Sequence, residues 1–253
     1  MFSLEQLYVA HVLSRRGTWD AFRTRHPGLY RVLYSVYRLY KRSRYLRYRR
    51  IYSRFSDFTM ISRRHYVLNL VICDQFRHLS GAVVECGTWR GGMIAGIAAS
   101  FGDNRDYYLF DSFEGLPPAQ DVDKDGHGVS AITWQANTDD NLRADESSAQ
   151  QAMRLSGASH VHICKGWFNK TLPDYSGQPI AILRADGDWY ESTMDILTHL
   201  YPYVVKGGVI ILDDYYYWEG CSKAVHDFLS KHQLRDKIYQ FDNLSAAIVK
   251  DWP

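Results

Sequence analysis

The sequence predicts an α/β fold in which helices cover both faces of a doubly wound, mostly parallel sheet that ends in an antiparallel edge hairpin. Two observations support this prediction. Helical stretches and short apolar runs alternate from residue 62 to the end of the chain, as they do when helices connect the strands of a parallel sheet. The apolar runs are continuous, for example over 180–183 and 209–212, which is typical of strands buried on both faces.

The N-terminal part of the chain departs from this pattern. A first helix is expected to begin at Ser3 and to end near Ser14, because serine is a common helix cap. A second helical stretch, dense in tyrosine and arginine, runs from Leu29 to Phe55. We therefore divide the chain into a basic, Tyr/Arg-rich helical extension, residues 1–56, and a main domain, residues 57–253.

The elements of the main domain follow in order after residue 62. A helix over 63–79 leads into the first strand, and later helices are expected near 91–101, 141–155, 190–202 and 220–232. Strands are expected near 82–86, 106–110, 160–164, 179–185, 207–212, 237–241 and 245–249. The last two strands are separated only by 242–244, which favours a hairpin at the sheet edge. The polar stretch 117–139 predicts a long loop, and such loops are usually lids or binding loops.

Composition argues against several classes of protein. The 253 residues contain no run of eighteen apolar residues, so no transmembrane helix is expected. The first five residues lack the basic start and apolar core of a secretory signal. The four cysteines are scattered without a CxxC spacing, and a reduced, cytoplasmic location fits them best.

Charge is distributed unevenly along the chain. Residues 1–55 carry thirteen Lys/Arg and two acids, about +11, whereas the whole chain is +2, so residues 56–253 carry about −9 by difference. The basic segment could lie on an anionic membrane surface and make the protein membrane-peripheral. It could also pack on the acidic domain or build a homo-oligomer, and we favour this second interpretation. The acidic main domain argues against a nucleic-acid partner.

The first strand leads into a turn that contains glycine, and Glu85 lies near the end of that strand. Glycines let the backbone approach a ligand, and the following helix start offers free N–H groups. A GxGxxG fingerprint here would need glycine at position 89, which is Trp89. The turn therefore does not favour dinucleotide binding. An acid at the end of the first strand followed by a glycine turn is frequent in sheets that bind S-adenosyl-L-methionine, although the turn could be merely structural.

The ends of the next two strands could complete a nucleoside site. Asp111 ends the second strand, where an acid can accept hydrogen bonds from the two ribose hydroxyls of a nucleoside. The alternative is a helix N-cap. Trp167 or Phe168, after the third strand, could stack on a base, although aromatic residues at such places are as often part of the core.

Two acidic clusters, 186–188 and 213–214, directly follow two neighbouring predicted strands. The spacing leaves room for one helix and one strand, so both clusters should reach the same edge of the sheet. Carboxylates gathered there repel one another and are costly to desolvate. Mg²⁺ would compensate, because it prefers carboxylate oxygens, and Asp188 could take a proton from a substrate hydroxyl. The alternative is helix capping plus surface charge.

Together these residues resemble the macrocin O-methyltransferase family, which modifies sugars of antibiotics such as tylosin, mycinamicin and novobiocin. The resemblance covers roughly residues 57–250 and rests on five motifs in the family's order. They are 84–92 (VECGTWRGG), 109–117 (LFDSFEGLP), 165–168 (KGWF), 186–193 (DGDWYEST) and 213–215 (DDY).

The resemblance implies a class I methyltransferase fold that uses S-adenosyl-L-methionine and Mg²⁺. Carried over by position, the resemblance implies that Asp186, Asp213 and Asp214 are metal ligands. It implies that Asp186 and Asp188 are catalytic, with Asp188 as the general base. The residues expected to hold the cofactor are Glu85, Gly87, Thr88, Trp89, Arg90, Gly91, Asp111, Ser112 and Trp167.

We therefore expect a Mg²⁺-dependent O-methyltransferase that acts on a sugar hydroxyl of a glycosylated natural product or of a surface polysaccharide. A catechol-type small-molecule methyltransferase shares the metal chemistry but not the DGDxYES string. A nucleic-acid methyltransferase is disfavoured by the acidic main domain. A non-catalytic nucleoside-binding module is disfavoured by the carboxylates, because binding alone needs no metal.

Overall fold

The computed structural model describes residues 24–175, 177–241 and 243–250. The chain divides into two compact units between Arg50 and Ile51. The boundary expected from the sequence, between residues 56 and 57, lies six residues further on and remains a prediction. The helix expected from Ser3 to Ser14 lies outside the described residues.

Helix α1 runs from Pro27 to Phe55 and contains nine Lys/Arg and no acidic residue. A proline is tolerated at its start, because the first N–H groups of a helix have no partner within it. One turn apart, Arg44 Nη2 donates a hydrogen bond to the Tyr48 hydroxyl at 2.8 Å. Within the described part of the chain, no helix combines the length and the hydropathy needed to cross a membrane. The membrane and oligomer interpretations of this segment remain predictions.

After α1, helices and strands alternate in the order that the sequence predicts. The helices are α2 (Arg63–Gln75), α3 (Gly92–Phe101), α4 (Ala131–Ala136), α5 (Glu146–Ser156), α6 (Phe168–Thr171), α7 (Tyr190–Leu200) and α8 (Glu219–Lys231). The strands are β1 (Ala82–Cys86), β2 (Tyr107–Asp111), β3 (Val161–Lys165), β4 (Ile180–Ala185), β5 (Val204–Leu212), β6 (Ile238–Gln240) and β7 (Ala246–Val249). Short 3₁₀ turns occur at Ser56–Phe58, Asp139–Leu142, Leu172–Asp174 and Tyr201–Tyr203.

The seven strands form one sheet in the order β3-β2-β1-β4-β5-β7-β6. Strands β1 to β5 pair in parallel, and β7 pairs antiparallel with both β5 and β6. The predicted mostly parallel sheet with an antiparallel edge hairpin is therefore confirmed. The strand order reverses between β1 and β4, and sheets of this type bind ligands beyond the carboxyl ends of the strands at such a point.

The centre of the sheet is buried, as its continuous apolar runs predict. Every residue of β1 and β4 is buried, and Leu183 and Ile210 share a core with Leu197 of α7. Burial of one such side chain stabilises the fold by about 1.5–3 kcal/mol. Arg184 is the charged exception in β4 and is only 1% exposed. A buried charge needs charged partners, and those of Arg184 lie at the carboxyl edge of the sheet.

The helix expected over 141–155 begins later, at Glu146. Asn141 and Leu142 have φ values of +49° and +59°, which lie outside the right-handed helical region. Propensity alone does not reveal this local conformation.

The loop expected over 117–139 contains the short helix α4, which was not predicted. Ala131 is fully buried, and the ring of Trp134 packs on those of Trp189 and Trp218. A helix of this length is marginal by itself, so contacts with the rest of the domain stabilise it.

Candidate active site

A cavity opens at the carboxyl edge of the sheet, where the strand order reverses. Its lining comes from the segments after β1, β2, β3 and β4 and from the start of α7. Predicted site residues that line it are Gly87, Trp89, Asp111, Ser112, Trp167, Asp186 and Asp188. The lining residues that received no predicted role are Met60, Gly115, Leu116, Pro117, Leu142, Gly166, Phe168, Asn169, Gly187, Glu191, Ser192 and Asp195.

The turn after β1 brings two segments of backbone into close contact. Gly87 has a φ of +83°, and a Cβ atom on it would lie 1.7 Å from the carbonyl oxygen of Asp186. The Gly87 N–H donates to the Phe110 carbonyl at 2.8 Å, and the Asp186 N–H donates to the Cys86 carbonyl at 2.9 Å. Only glycine combines this φ with this close approach. The turn therefore fixes β1, β2 and β4 to one another where the cavity begins.

Asp111 ends β2, and its carboxylate is held by two backbone groups. The Trp89 N–H donates to Oδ2 and the Phe113 N–H donates to Oδ1, each at 2.7 Å. Burial raises the pKa of Asp111, and these hydrogen bonds oppose that shift. A carboxylate can accept about four hydrogen bonds, so its oxygens keep capacity for the hydroxyls of a ligand. The ribose contact itself remains a prediction.

Four residues that were expected to hold a cofactor do not line the cavity: Glu85, Thr88, Arg90 and Gly91. Glu85 is 1% exposed. Its Oε1 accepts a hydrogen bond from Arg184 Nη1 at 2.9 Å, and its Oε2 accepts one from the Ile94 N–H at 3.2 Å. Glu85 thus supports the site from within the sheet, and a direct contact of these four residues with a ligand remains a prediction.

The segment after β2 is a compact turn that forms another wall of the cavity. The Ser112 hydroxyl donates to the Gly115 carbonyl at 2.9 Å and accepts from the Glu114 N–H at 3.0 Å. Gly115 has a φ of +94°, and a Cβ atom on it would lie 2.2 Å from the carbonyl oxygen of Asn141. The sequence signal for this turn was present in the FEGLP string, although no role was assigned to Gly115.

Three carboxylates converge at the edge of the cavity: Asp186 and Asp188 line it, and Asp214 adjoins them without lining it. One oxygen of each lies within 4.8 Å of the corresponding oxygens of the other two. Oxygen donors of this kind are the ligands that Mg²⁺ prefers. The donor set at this place therefore fits a divalent cation.

These three carboxyl groups are costly to ionise together. Burial, followed by repulsion from Asp186, raises the pKa of Asp188 to about 7. Burial raises the pKa of Asp186 to about 6, although the nearby Arg184 lowers it. Burial and repulsion from Asp188 hold the pKa of Asp214 well above its usual range. A cation bound here would offset the repulsion that causes these shifts.

The guanidinium group of Arg184 is a buried positive charge beside these carboxylates, and the sequence had not predicted a role for it. Arg184 Nη1 contacts Glu85 at 2.9 Å and Asp186 at 2.5 Å, and Arg184 Nη2 contacts Asp213 at 2.6 Å. The available signal was an arginine inside an otherwise apolar strand. Because Arg184 joins β4 to β1 and to the residue after β5, it neutralises part of the acidic charge on three segments.

Asp213 is not one of the three convergent carboxylates. Its Oδ1 contacts His65 Nε2 at 2.8 Å, and the Ser245 hydroxyl donates to its backbone carbonyl at 2.8 Å. Burial favours the neutral form of Asp213, but Arg184 and then His65 lower its pKa below the usual value. The ligand set implied by the family resemblance therefore shares Asp186 and Asp214 with the convergent group, and the role of Asp213 remains a prediction.

Asp188 is held in an unusual backbone conformation. Its φ is +57°, which costs a non-glycine residue on the order of 1–3 kcal/mol. Its N–H donates to Asp214 Oδ2 at 3.1 Å, and its Oδ1 accepts a hydrogen bond from Trp218 Nε1 at 3.0 Å. The surrounding contacts therefore fix both the backbone and the carboxylate of Asp188.

Comparison with known proteins follows the same motifs. Residues 55–250 match the model of a family described as Macrocin-O-methyltransferase (TylF). The chain is 36% identical over 172 residues to demethyldecarbamoylnovobiocin O-methyltransferase of Streptomyces niveus, which covers 65% of this chain and 64% of that protein. It is 36% identical over 171 residues to mycinamicin III 3''-O-methyltransferase of Micromonospora griseorubida, which covers 64% and 65%. The chain thus spans just under two thirds of the length of these relatives.

A third relative is 8-demethyl-8-(2,3-dimethoxy-alpha-L-rhamnosyl)-tetracenomycin-C 4'-O-methyltransferase of Streptomyces olivaceus, 33% identical over 192 residues, with 70% of this chain and 67% of that protein covered. Among solved structures, the O-methyltransferase NovP matches with a TM-score of 0.65 and 30% identity over 77% of this chain and 83% of its own. A calicheamicin methyltransferase matches with a TM-score of 0.59 and 17% identity over 98% and 94% of the two chains. This second likeness shows a shared fold. Together with NovP and the family match, it confirms the expected class I methyltransferase fold.

Proposed function

Because the chain belongs to the macrocin O-methyltransferase family, we propose that it transfers the methyl group of S-adenosyl-L-methionine to a hydroxyl group of a sugar. The acceptor would be a glycosylated natural product or a surface glycan. The name of the tetracenomycin relative specifies a rhamnosyl group, which supports a sugar as the class of acceptor.

One observation carries the proposal: two chemically different halves share one cavity. We call Gly87, Trp89, Asp111, Ser112 and Trp167 the turn half, and Asp186, Asp188 and the adjoining Asp214 the carboxylate half. A methyl donor and an acceptor hydroxyl have to be held side by side for transfer, because much of such catalysis is positioning. A site for nucleoside binding alone would have no use for the carboxylate half.

The turn half would hold the methyl donor. Gly87 permits close approach of the ligand to the backbone, Asp111 would accept hydrogen bonds from the ribose hydroxyls, and Trp167 would stack on the adenine. When bound, S-adenosyl-L-methionine supplies a methyl group activated by a positively charged sulfur. The remaining predicted contacts, through Thr88, Arg90 and Gly91, would come from the backbone of the same turn.

The carboxylate half would hold Mg²⁺ through Asp186 and Asp214, with Asp213 as the third protein ligand. When bound, such a cation lowers the pKa of a hydroxyl group that it contacts. Asp188 would then accept the hydroxyl proton. Burial is the largest cause of the raised pKa of Asp188, and a raised pKa makes a carboxylate a better proton acceptor.

The proposal is tested by methyl transfer from S-adenosyl-L-methionine to a panel of antibiotic glycosides and polysaccharide fragments, measured as S-adenosylhomocysteine formed. We expect transfer to at least one glycoside, loss of activity in EDTA and recovery when Mg²⁺ is restored. A catechol in the same panel distinguishes a sugar methyltransferase from a catechol-type methyltransferase. Transfer to the catechol and to none of the glycosides would overturn the sugar acceptor, and full activity in EDTA would overturn the metal role.

The assignment of the carboxylates is tested by Mn²⁺ binding, measured by electron paramagnetic resonance without substrate. We expect Asp213→Asn to weaken Mn²⁺ binding by at least about tenfold, and Asp188→Asn to bind Mn²⁺ but lose methyl transfer. Asp195→Asn, which changes a carboxylate elsewhere in the cavity wall, is the matched control for charge. If Asp188→Asn lost Mn²⁺ binding while Asp213→Asn kept it, Asp188 and not Asp213 would be the metal ligand.

A further inference from the structure

Three tryptophan rings form a cluster beside the carboxylate half. Trp189 and Trp218 meet edge to face with centroids 4.8 Å apart, and Trp134 meets them at 6.3 Å and 5.9 Å. Trp189 is 1% exposed and Trp218 is 3% exposed. Edge-to-face contacts of buried rings fix their orientation, so the polar edge of each indole is also fixed.

Trp218 directs its indole N–H at Asp188. Trp218 Nε1 donates to Asp188 Oδ1 at 3.0 Å. An indole N–H can only donate, so Trp218 is always the donor in this hydrogen bond and the Asp188 oxygen is always the acceptor. Together with the Asp188 N–H to Asp214 Oδ2 contact of 3.1 Å, it restrains Asp188 at two points.

We infer that Trp218 is a positioning residue that orients the Asp188 carboxylate for proton acceptance. The inference rests on the proposed role of Asp188 as the general base. Oδ1 accepts the indole N–H, so we assign Oδ2 as the oxygen that would accept the hydroxyl proton. Without the indole, the carboxylate could rotate about its side-chain bonds, and a productive geometry would be populated for less of the time.

Hydrogen bonds beside the cluster hold Trp189, the ring that packs on Trp218. Trp189 Nε1 donates to the Pro117 carbonyl at 2.9 Å, and the Tyr190 N–H donates to Asp123 Oδ1 at 2.8 Å. These contacts tie the segment over 117–139, which carries Trp134, to the residues that follow Asp188. Trp134 belongs to the same cluster and, like Trp218, does not line the cavity. Trp134→Phe is therefore a matched control that changes the packing of the cluster without removing the hydrogen bond to Asp188.

The test compares Trp218→Phe with Trp134→Phe in the full chain with Mg²⁺. Each variant loses one indole and keeps an aromatic ring in the cluster. For Trp218→Phe we expect kcat to fall roughly 10- to 100-fold, while the KM for S-adenosyl-L-methionine stays within about twofold of wild type. For Trp134→Phe we expect kcat to stay within about threefold of wild type. If Trp218 had a purely structural role, kcat would fall by a similar factor in both variants, or the KM for S-adenosyl-L-methionine would rise.

A second replacement removes the N–H without removing the ring system. Incorporation of 3-benzothienylalanine at position 218 keeps the bicyclic shape and places sulfur where the indole has N–H, so folding is preserved even where phenylalanine would leave a gap. The same fall in kcat supports the inference, and wild-type kcat overturns it. Equal loss in Trp218→Phe and Trp134→Phe also overturns it. A wild-type chain that methylates no acceptor overturns the proposed function, and with it this inference.

Discussion

The two halves of the cavity are held by different physical means. In the turn half, a positive φ at Gly87 and two backbone N–H groups on Asp111 set the geometry. In the carboxylate half, Asp186 is held by an ion pair with Arg184. Arg184 also pairs with Glu85, 99 residues away in the sequence, and with Asp213, which in turn contacts His65, 148 residues away. We therefore expect the turn half to be intolerant of added atoms and the carboxylate half to be intolerant of changed charge.

The largest effect should come from adding one atom to the turn half. In Gly87→Ala the new Cβ would lie 1.7 Å from the Asp186 carbonyl oxygen, so strands β1 and β4 would have to separate. We expect the free energy of unfolding to fall by about 4 kcal/mol or more, measured by urea denaturation. Gly128→Ala is the control, because Gly128 has a similar φ of +78° but no atom within 4 Å of the added Cβ. It should cost about 1–2 kcal/mol, and equal losses would contradict the steric argument.

Removing the buried cation should have the next largest effect. Arg184→Met leaves Glu85, Asp186 and Asp213 without their shared partner, and breaking a buried ion pair costs about 3–5 kcal/mol. Arg105→Met is the control, because Arg105 donates only to backbone carbonyls, among them that of Gly81, and should cost about 1–2 kcal/mol. Urea denaturation measures both. If Arg105→Met is destabilised as much as Arg184→Met, the loss of stability does not come from breaking the ion pairs of Arg184.

A smaller effect, on cofactor binding, is expected for Asp111→Asn. Asparagine keeps one acceptor oxygen, but its amide NH2 would face one of the two backbone N–H groups, and the charge and the oxygen that a ribose would use are lost. We expect the Kd for S-adenosyl-L-methionine, measured by calorimetry, to rise by at least about tenfold, which is about 1.4 kcal/mol. The matched control is Asp125→Asn, because Asp125 also accepts two backbone N–H groups, at 2.9 Å, but lies outside the cavity lining. Unchanged affinity in Asp111→Asn would remove the ribose contact from the proposal.

A pH dependence of stability is expected from the carboxylate half. Burial raises the pKa values of Asp186 and Asp188 to about 6 and about 7, whereas in the unfolded chain both lie near the usual 3.8. Between these values the folded state binds more protons than the unfolded state, so stability falls as pH rises. The Tm of metal-free protein should therefore decrease from about pH 5 to about pH 8, and the rise in Tm on adding Mg²⁺ should be larger at the higher pH. A metal-free Tm that increases over this range would contradict the raised pKa values, and Asp188→Asn should flatten the profile.

The same contrast explains how much could be predicted from the sequence. The strands and most helices were expected to within a few residues, because continuous apolar runs mark buried parallel strands. Gly87, Asp111 and Asp186 could be assigned to one edge of the sheet, because each directly follows or ends such a run. Strand β5 begins at Val204 rather than at residue 207, because glycines at 207 and 208 concealed its continuation.

What could not be predicted depends on partners that are remote in the sequence. The link between Trp218 and Asp188 spans 30 residues, and that between His65 and Asp213 spans 148, so neither leaves a local pattern. Helix α4 was missed for a related reason, since its stability comes from Trp134 packing on Trp189 and Trp218. Short sequence motifs identified part of the cavity lining, whereas the pairing of side chains could be read only from the folded structure.

The remote pairing of His65, Asp213 and Ser245 has a consequence for how the protein is made. A ribosome releases the chain from its N-terminus, so His65 has to wait for more than half of the chain before Asp213 emerges, and longer still for Ser245. Contacts that close such long loops form late, because ordering the intervening chain costs entropy. The acidic edge of the sheet should therefore be the last region to mature. Until Ser245 emerges, its contacts with His65 and with the Asp213 carbonyl are missing from this edge.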